Sequence, residues 1–193
     1  MDEVVAALRE GRPVVVPSDT VYGLCVSPHS EDAYRRLGRL KGRDDQPVGI
    51  AANELEHVLE AVPELRDPYG ELLAELLPGA YTFILPNPAR RFPWLSKGNE
   101  GTIGIRVADF PAPTREVLAR FGPVAATSAN LHGGPDPRTL ADVPEEIRAG
   151  AVCLDGGAIL GVASTVVDLT GEAPRVLREG AGDVQCVVDL FRG

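Results

Sequence analysis

Pro13-Val14-Val15-Val16-Pro17 is a continuous apolar run closed at each end by proline, and Ser18, Asp19 and Thr20 stand directly behind it. An apolar run without alternation is the pattern of a strand in the core of a sheet. Small polar side chains just past the carboxyl end of such a strand occupy the place where open α/β sheets bind their ligands. Lys41-Gly42-Arg43 and Thr127-Ser128-Ala129-Asn130 repeat this placement of charge and hydroxyls at element ends. Three such clusters point to a small-molecule pocket that holds an anion.

The rest of the chain supplies a mixed set of elements. Asp2 to Glu10 reads as a short helix that Gly11 ends, with Val4, Val5 and Leu8 on one face. Ser30 is placed to cap a helix running to about Leu40, with Glu31 and Asp32 in its first turn and Gly42 as its stop. Pro47 to Ala52 reads as a strand, and Asn53 as the cap of a helix through about Ala61. Pro68 to Leu77 reads as a helix stopped by Pro78-Gly79, and Tyr81 to Leu85 as a core strand. The segment 86–101 has three prolines and no periodicity, which makes it a candidate mobile loop or lid.

Thr102 to Val107 alternates strictly, with Ile103, Ile105 and Val107 on one face and Thr102, Gly104 and Arg106 on the other. A helix over Pro113–Phe121, a strand over Val124–Thr127 and a helix over Pro144–Ala149 follow. Strands over Ala151–Leu154, Thr165–Leu169 and Arg175–Leu177 close the sheet. Strands joined sometimes by helices and sometimes by turns predict an α/β fold, a single domain over 1–193 with a twisted mixed parallel/antiparallel sheet and flanking helices.

Composition removes several classes of function. A chain of 193 residues that is 44% hydrophobic can bury one substantial core but not comfortably two. No apolar run reaches the roughly 18 residues of a membrane span. Met1-Asp2-Glu3-Val4 lacks the basic flank and apolar stretch of a signal peptide, so the expected location is the cytoplasm, away from membranes. A net charge of −9 disfavours a nucleic-acid binder held by phosphate contacts. Cys25, Cys153 and Cys186 are odd in number and form no Cys-x-x-Cys, which argues against a disulfide framework and a zinc site. The standard phosphate loop, dinucleotide fingerprint, zinc-protease helix and serine-hydrolase elbow are all missing. His29, His57 and His132 show no ligand spacing.

The remaining polar residues admit more than one reading. Lys41 and Arg43 lie at a helix C-terminus, where cations either complement the helix dipole or hold a phosphate. Arg35, Arg36 and Arg39 precede them as a solvated face or an RNA contact. Arg106 shares a strand face with Thr102 and needs an anionic partner, either a bound carboxylate or phosphate or the nearby Asp109. Ser128 and Asn130 offer donors at a strand end, or simply cap it. Ser164, Val166 and Asp168 share one face of their strand. Arg178 stands at a strand end, where a surface pair with Glu179 is the plainest account.

In order along the chain, the segments Pro17–Leu24, Lys41–Arg43, Pro78–Thr82, Gly101–Val107, Thr127–Asn130, Ser164–Asp168 and Leu177–Gly180 resemble the YrdC family of L-threonylcarbamoyladenylate synthases. The resemblance runs from about residue 10 to 180 and implies the minimal single-domain form. It also implies that L-threonine, bicarbonate and ATP are joined to threonylcarbamoyl-AMP and pyrophosphate. The product would supply the modification of the adenosine beside the anticodon of tRNA, through a downstream threonylcarbamoyl transferase machinery.

By the same resemblance Thr20, Arg106 and Ser164 contact threonine, while Lys41 and Arg43 hold ATP phosphates and serve catalysis. Thr102, Ser128, Asn130, Asp136 and Arg178 complete the nucleotide site, with Mg2+ arriving on ATP rather than in a protein cage. The segment after Arg43 departs from the family pattern: it is short and carries Asp44 and Asp45. Two other functions remain open at this point. One is adenylation of carbamoyl phosphate by a related domain of hydrogenase maturation, and the other is RNA binding through the arginine face.

Overall fold

The computed structural model describes residues 1–42, 47–96 and 98–191, and among them nine strands form one sheet flanked by seven helices. The strands are β1 (Val14–Val16), β2 (Gly23–Val26), β3 (Gly49–Ala52), β4 (Tyr81–Pro86), β5 (Thr102–Val107), β6 (Val124–Ser128), β7 (Val152–Cys153), β8 (Thr165–Asp168) and β9 (Arg175–Arg178). Their order across the sheet is β7-β1-β2-β6-β3-β5-β4-β8-β9. Three pairs are parallel (β1 with β7, β3 with β5, β4 with β8) and the others antiparallel, so the sheet is mixed as expected.

The helices are α1 (Asp2–Arg9), α2 (Glu31–Lys41), α3 (Leu55–Ala61), α4 (Arg66–Leu76), α5 (Ala112–Phe121), α6 (Glu145–Ala149) and α7 (Val184–Leu190). Local chemistry sets their ends. The Ser30 side chain accepts the Ala33 N–H at the start of α2, and Gly42, at φ 69°, closes that helix in the left-handed conformation that glycine adopts without strain. Asn53 is not the cap of α3: the cap position is Glu54, without a side-chain bond. In α4 regular helix begins at Pro68, because Asp67 before the proline is held extended at φ −127° and ψ 120°.

The two faces of the sheet are covered unequally. On one, α2, α3, α4, α6 and α7 bury Tyr34, Leu37, Val58, Leu73, Ile147 and Val187 against Leu24, Ile50, Phe83, Ile105 and Val167 of the strands. On the other, α1 and α5 pack Val5, Leu8, Val117 and Leu118 over Val14, Val16, Cys25, Ala51 and Val124. That second cover rests on β1, β2, β3 and β6, and the same face continues over β5, β4 and β8 as the wall of a cleft. Several described residues of the segment 86–101 bond to or pack against the rest of the chain. Buried Asn87 bonds the Arg91 amide and carbonyl, Arg91 pairs with Glu64 at 2.7 Å, the Trp94 indole N–H donates to the Pro28 carbonyl and Leu95 enters the core. No described helix is long and apolar enough to cross a membrane.

Candidate active site

The cleft encloses about 470 Å3. Its floor follows from strand alternation. In β5, Ile103, Ile105 and Val107 enter the core, which leaves Thr102, Gly104 and Arg106 on the cleft side. In β4, Tyr81, Phe83 and Leu85 are buried while Thr82 and Ile84 face the cleft. In β8, Val166 and Asp168 do the same, with Ser164 just before the strand. Three adjacent strands thus turn alternate positions, Thr82, Thr102, Arg106 and Asp168 among them, to one side.

Arg106 of this wall is held by three hydrogen bonds. Its Nη2 donates to Asp19 Oδ1 at 2.6 Å and to Thr20 Oγ1 at 3.0 Å, and its Nη1 donates to the Tyr81 carbonyl at 3.1 Å. The partner is Asp19 and not Asp109. Asp109 lies beyond the end of β5, is 83% exposed and pairs with Arg115 at 3.1 Å. The turn that delivers Asp19 and Thr20 is organised by buried Ser18, whose hydroxyl donates to the Val21 carbonyl at 2.6 Å and accepts the Thr20 and Val21 amides. A bonded turn of this kind satisfies backbone groups that burial would otherwise leave unpaired.

A second polar group adjoins the first. Ser164 Oγ lies 2.8 Å from Thr82 Oγ1, and Arg178 donates to the Ser164 carbonyl through Nε (3.1 Å) and Nη2 (2.9 Å). Arg178 therefore braces the site and makes no pair with Glu179. The turn after it is clamped by Thr165, fully buried, whose Oγ1 accepts the Gly180 N–H at 3.0 Å and donates to the Gly182 carbonyl at 2.6 Å. Gly180 passes so close that an added Cβ would lie 2.2 Å from the Ala163 carbonyl oxygen. Asp168 is held below the usual carboxylate range by the Thr170 hydroxyl and amide and by Arg175.

The strand end of β6 carries the third group. Ser128 lines the cleft, and its carbonyl and the Asn130 Oδ1 each accept a bond from Lys41 Nζ at 2.8 Å. Ser128 Oγ donates to Asn130 Oδ1 at 2.7 Å, and Asn130 Nδ2 reaches the Gly134 carbonyl at 2.8 Å and Asp136 Oδ1 at 3.4 Å. Lys41, Asn130 and Asp136 join the cleft through Ser128 and do not themselves form its walls. Thr102 is a wall residue whose hydroxyl donates to the Asn99 carbonyl. Arg43, predicted to bind phosphate, lies outside the described residues. On the arginine face of α2, Arg35 pairs with Glu31 and Arg36 donates to the Gly11 carbonyl. Among the described residues no group of three or more His, Cys, Asp or Glu gathers to hold a metal.

Two cleft features escaped the sequence reading. Thr82 stands inside the segment Pro78–Thr82, and its place between Tyr81 and Phe83 marks it as the outward position of an alternating strand. Behind the site, Tyr22 is completely buried and its hydroxyl donates to Asp155 Oδ1 at 3.0 Å and the Gly157 carbonyl at 2.8 Å. These bonds anchor the loop that leads to Ser164, and the Gly161 amide ties the same loop to the Thr20 carbonyl at 2.7 Å. Burial pushes the Tyr22 hydroxyl above its ordinary pKa.

The family model described as Telomere recombination, covering Sua5, YciO and YrdC proteins, matches residues 6–180. The threonylcarbamoyl-AMP synthase of Chromohalobacter salexigens is 34% identical over 178 residues, which is 90% of this chain and 95% of that protein. Sua5 of P. abyssi, solved in complex with L-threonine, superposes with a TM-score of 0.81 at 32% identity, over 91% of this chain and 52% of its own. E. coli YciO superposes with a TM-score of 0.82 at 28% identity, over 96% of this chain and 91% of its own. The chain thus spans about half of the Pyrococcus protein and nearly all of the other two. With the match extending from α1 to the Gly180 turn over Ser164, the chain belongs to the Sua5/YciO/YrdC family.

Proposed function

We propose that this protein makes L-threonylcarbamoyl-AMP from L-threonine, bicarbonate and ATP, releasing pyrophosphate and water. The observation that carries this reading is a polar group suited to an amino acid in the same cleft as a phosphate-type group, of which Ser128 and Arg178 line the cleft while Lys41 and Asn130 are bonded behind Ser128. The first comprises Arg106, Thr20, Ser164 and Thr82, with a guanidinium suited to a carboxylate and hydroxyls suited to a β-hydroxy amine. The second comprises Ser128, Asn130, Lys41 and Arg178, which supply the amide, hydroxyl and cationic donors that nucleotide phosphates take. A relative of known structure holds L-threonine, and curated relatives are named for this synthesis.

The reaction needs no protein nucleophile. The threonine amine attacks the carbon of CO2 or bicarbonate to give a carbamate, and a carbamate oxygen attacks the α-phosphorus of ATP while pyrophosphate departs. Each step brings anions together, so positioning and charge neutralisation do most of the work. In this reading Thr20, Arg106 and Ser164 orient threonine. Lys41, Ser128, Asn130 and Arg178 hold the nucleotide, with Thr102 and Asp136 beside them and Arg43 a further phosphate contact. Mg2+ enters as part of the MgATP substrate. The product would pass to the machinery that transfers threonylcarbamoyl to tRNA in the cytoplasm.

The test is pyrophosphate release with threonine and bicarbonate each supplied or omitted, together with mass detection of the adenylate. Release that requires both, with the adduct mass, supports the proposal. Release that ignores threonine, or that follows carbamoyl phosphate instead, overturns it.

A further inference from the structure

Asp19 holds the Arg106 guanidinium at 2.6 Å, with the two side chains only 19% and 12% exposed. It does not line the cleft and reaches it through Arg106. Asp168, which does face the cleft, is matched by Arg175 at 2.8 Å. Arg178 has no carboxylate partner among the described residues and is bonded to the neutral carbonyl of Ser164. The Arg106 subsite is therefore electrically balanced before a ligand arrives, whereas Arg178 keeps its positive charge for one.

An arginine meant only to seize a carboxylate would bind it most strongly alone. A permanent counter-charge weakens its pull on every anion, because the ligand carboxylate feels both members of the pair. A zwitterion is affected differently: its carboxylate is repelled by Asp19 while its ammonium is attracted, and the two effects largely cancel. Specificity is a difference of affinities, and this pair supplies such a difference. We infer that Asp19 is a specificity-determining residue, which neutralises Arg106 so that the subsite selects a net-neutral amino acid over monoanionic carboxylates of the same shape. The inference rests on the assignment of Arg106 to the carboxylate of the amino-acid substrate, proposed above.

The experiment is calorimetric titration of L-threonine and of its hydroxy-acid analogue (2S,3R)-2,3-dihydroxybutanoate, into the unaltered protein and into Asp19→Asn and Asp19→Glu. The unaltered protein binds threonine the more tightly. In Asp19→Asn the preference falls by roughly ten-fold, the scale expected for one charge about 5 Å away in a partly solvated site. In Asp19→Glu, which keeps the charge, the preference returns. Asp19→Ser removes the charge by a second route should the asparagine variant fail to fold.

A residue that merely steadied Arg106 would weaken both ligands by the same factor when replaced. That outcome, or equal affinities in the unaltered protein, overturns the inference while leaving threonine as the substrate. No threonine binding by the unaltered protein overturns the reading of the cleft and the inference with it.

Discussion

Replacing Thr165 by valine exchanges one oxygen for a methyl group at a site with no solvent exposure. The loss is nevertheless double, because that oxygen accepts the Gly180 N–H at 3.0 Å and donates its proton to the Gly182 carbonyl at 2.6 Å. Each group would be left without a partner. Orphaning a buried polar group costs about 1–3 kcal/mol, so with partial relaxation of the turn the valine variant should lose about 3 kcal/mol. For a chain of this size that is a fall of roughly 6–12 °C in Tm.

Serine at the same position keeps the hydroxyl and removes only the methyl, at about 1 kcal/mol. The assay is urea unfolding of both variants beside the unaltered protein, with the ATP dependence of pyrophosphate release measured in parallel. The ATP term enters because the clamped turn carries Arg178 against Ser164. Thr165→Val should be the more damaging in both measurements. A valine variant as stable as the serine one would show that packing, and not the two bonds, holds the turn, and the argument from unpaired groups would fall.

Other outcomes follow from the same geometry. Arg106→Ala should lower kcat/KM for threonine by about ten- to a hundred-fold, the equivalent of losing a charge-assisted bond of about 1.5–3 kcal/mol; an unchanged value in folded protein would make Arg106 purely structural. The Arg91 guanidinium holds the Glu64 carboxyl down to about 2, and Thr139 and Thr170 contacts lower Asp142 and Asp168. Carboxyls more acidic in the folded than the unfolded chain stabilise above their unfolded pKa values, near 4, and that contribution disappears as pH falls towards 2. Urea midpoints measured from pH 7 to pH 2.5 should therefore decline below about pH 4.5, and a flat profile would contradict the sign. Burial pushes the Cys25 thiol to about 12, while Cys186 is exposed. Iodoacetamide at pH 8 should label Cys186 in the folded protein and spare Cys25; equal labelling by mass spectrometry would refute this.

Much of the site was legible because alternation is a local signal. The sequence from Thr102 to Val107 placed Arg106 on the polar face of its strand before any partner was known, and the same logic aligned Ser164, Val166 and Asp168. What it could not supply was the partner. Asp109 is near in sequence, whereas Asp19 arrives from a turn 87 residues away through a sheet order no local pattern encodes. The strand β2 was hidden inside a segment read for its polar groups, and α7 is a short helix whose start depends on an Asp183 cap. Pairings such as β2 with β6 join segments about a hundred residues apart, which only the assembled sheet displays. The acceptor of Arg178, the Ser164 carbonyl, was hidden for a similar reason. It is a backbone carbonyl, and every residue has one.

The pleat that aims Arg106, Thr82 and Asp168 at the cleft also governs how such a site can change over time. Every cleft-facing position on β4, β5 and β8 sits beside a core position but on the opposite side of the backbone. Point substitutions can therefore rewrite what the cleft recognises while the hydrophobic layer beneath is left untouched. Inserting or deleting a single residue within those strands would do the reverse, sending Ile105 into water and Arg106 into the core. Descendants of such a chain are free to diverge in chemistry at constant strand length, with length variation confined to the connections.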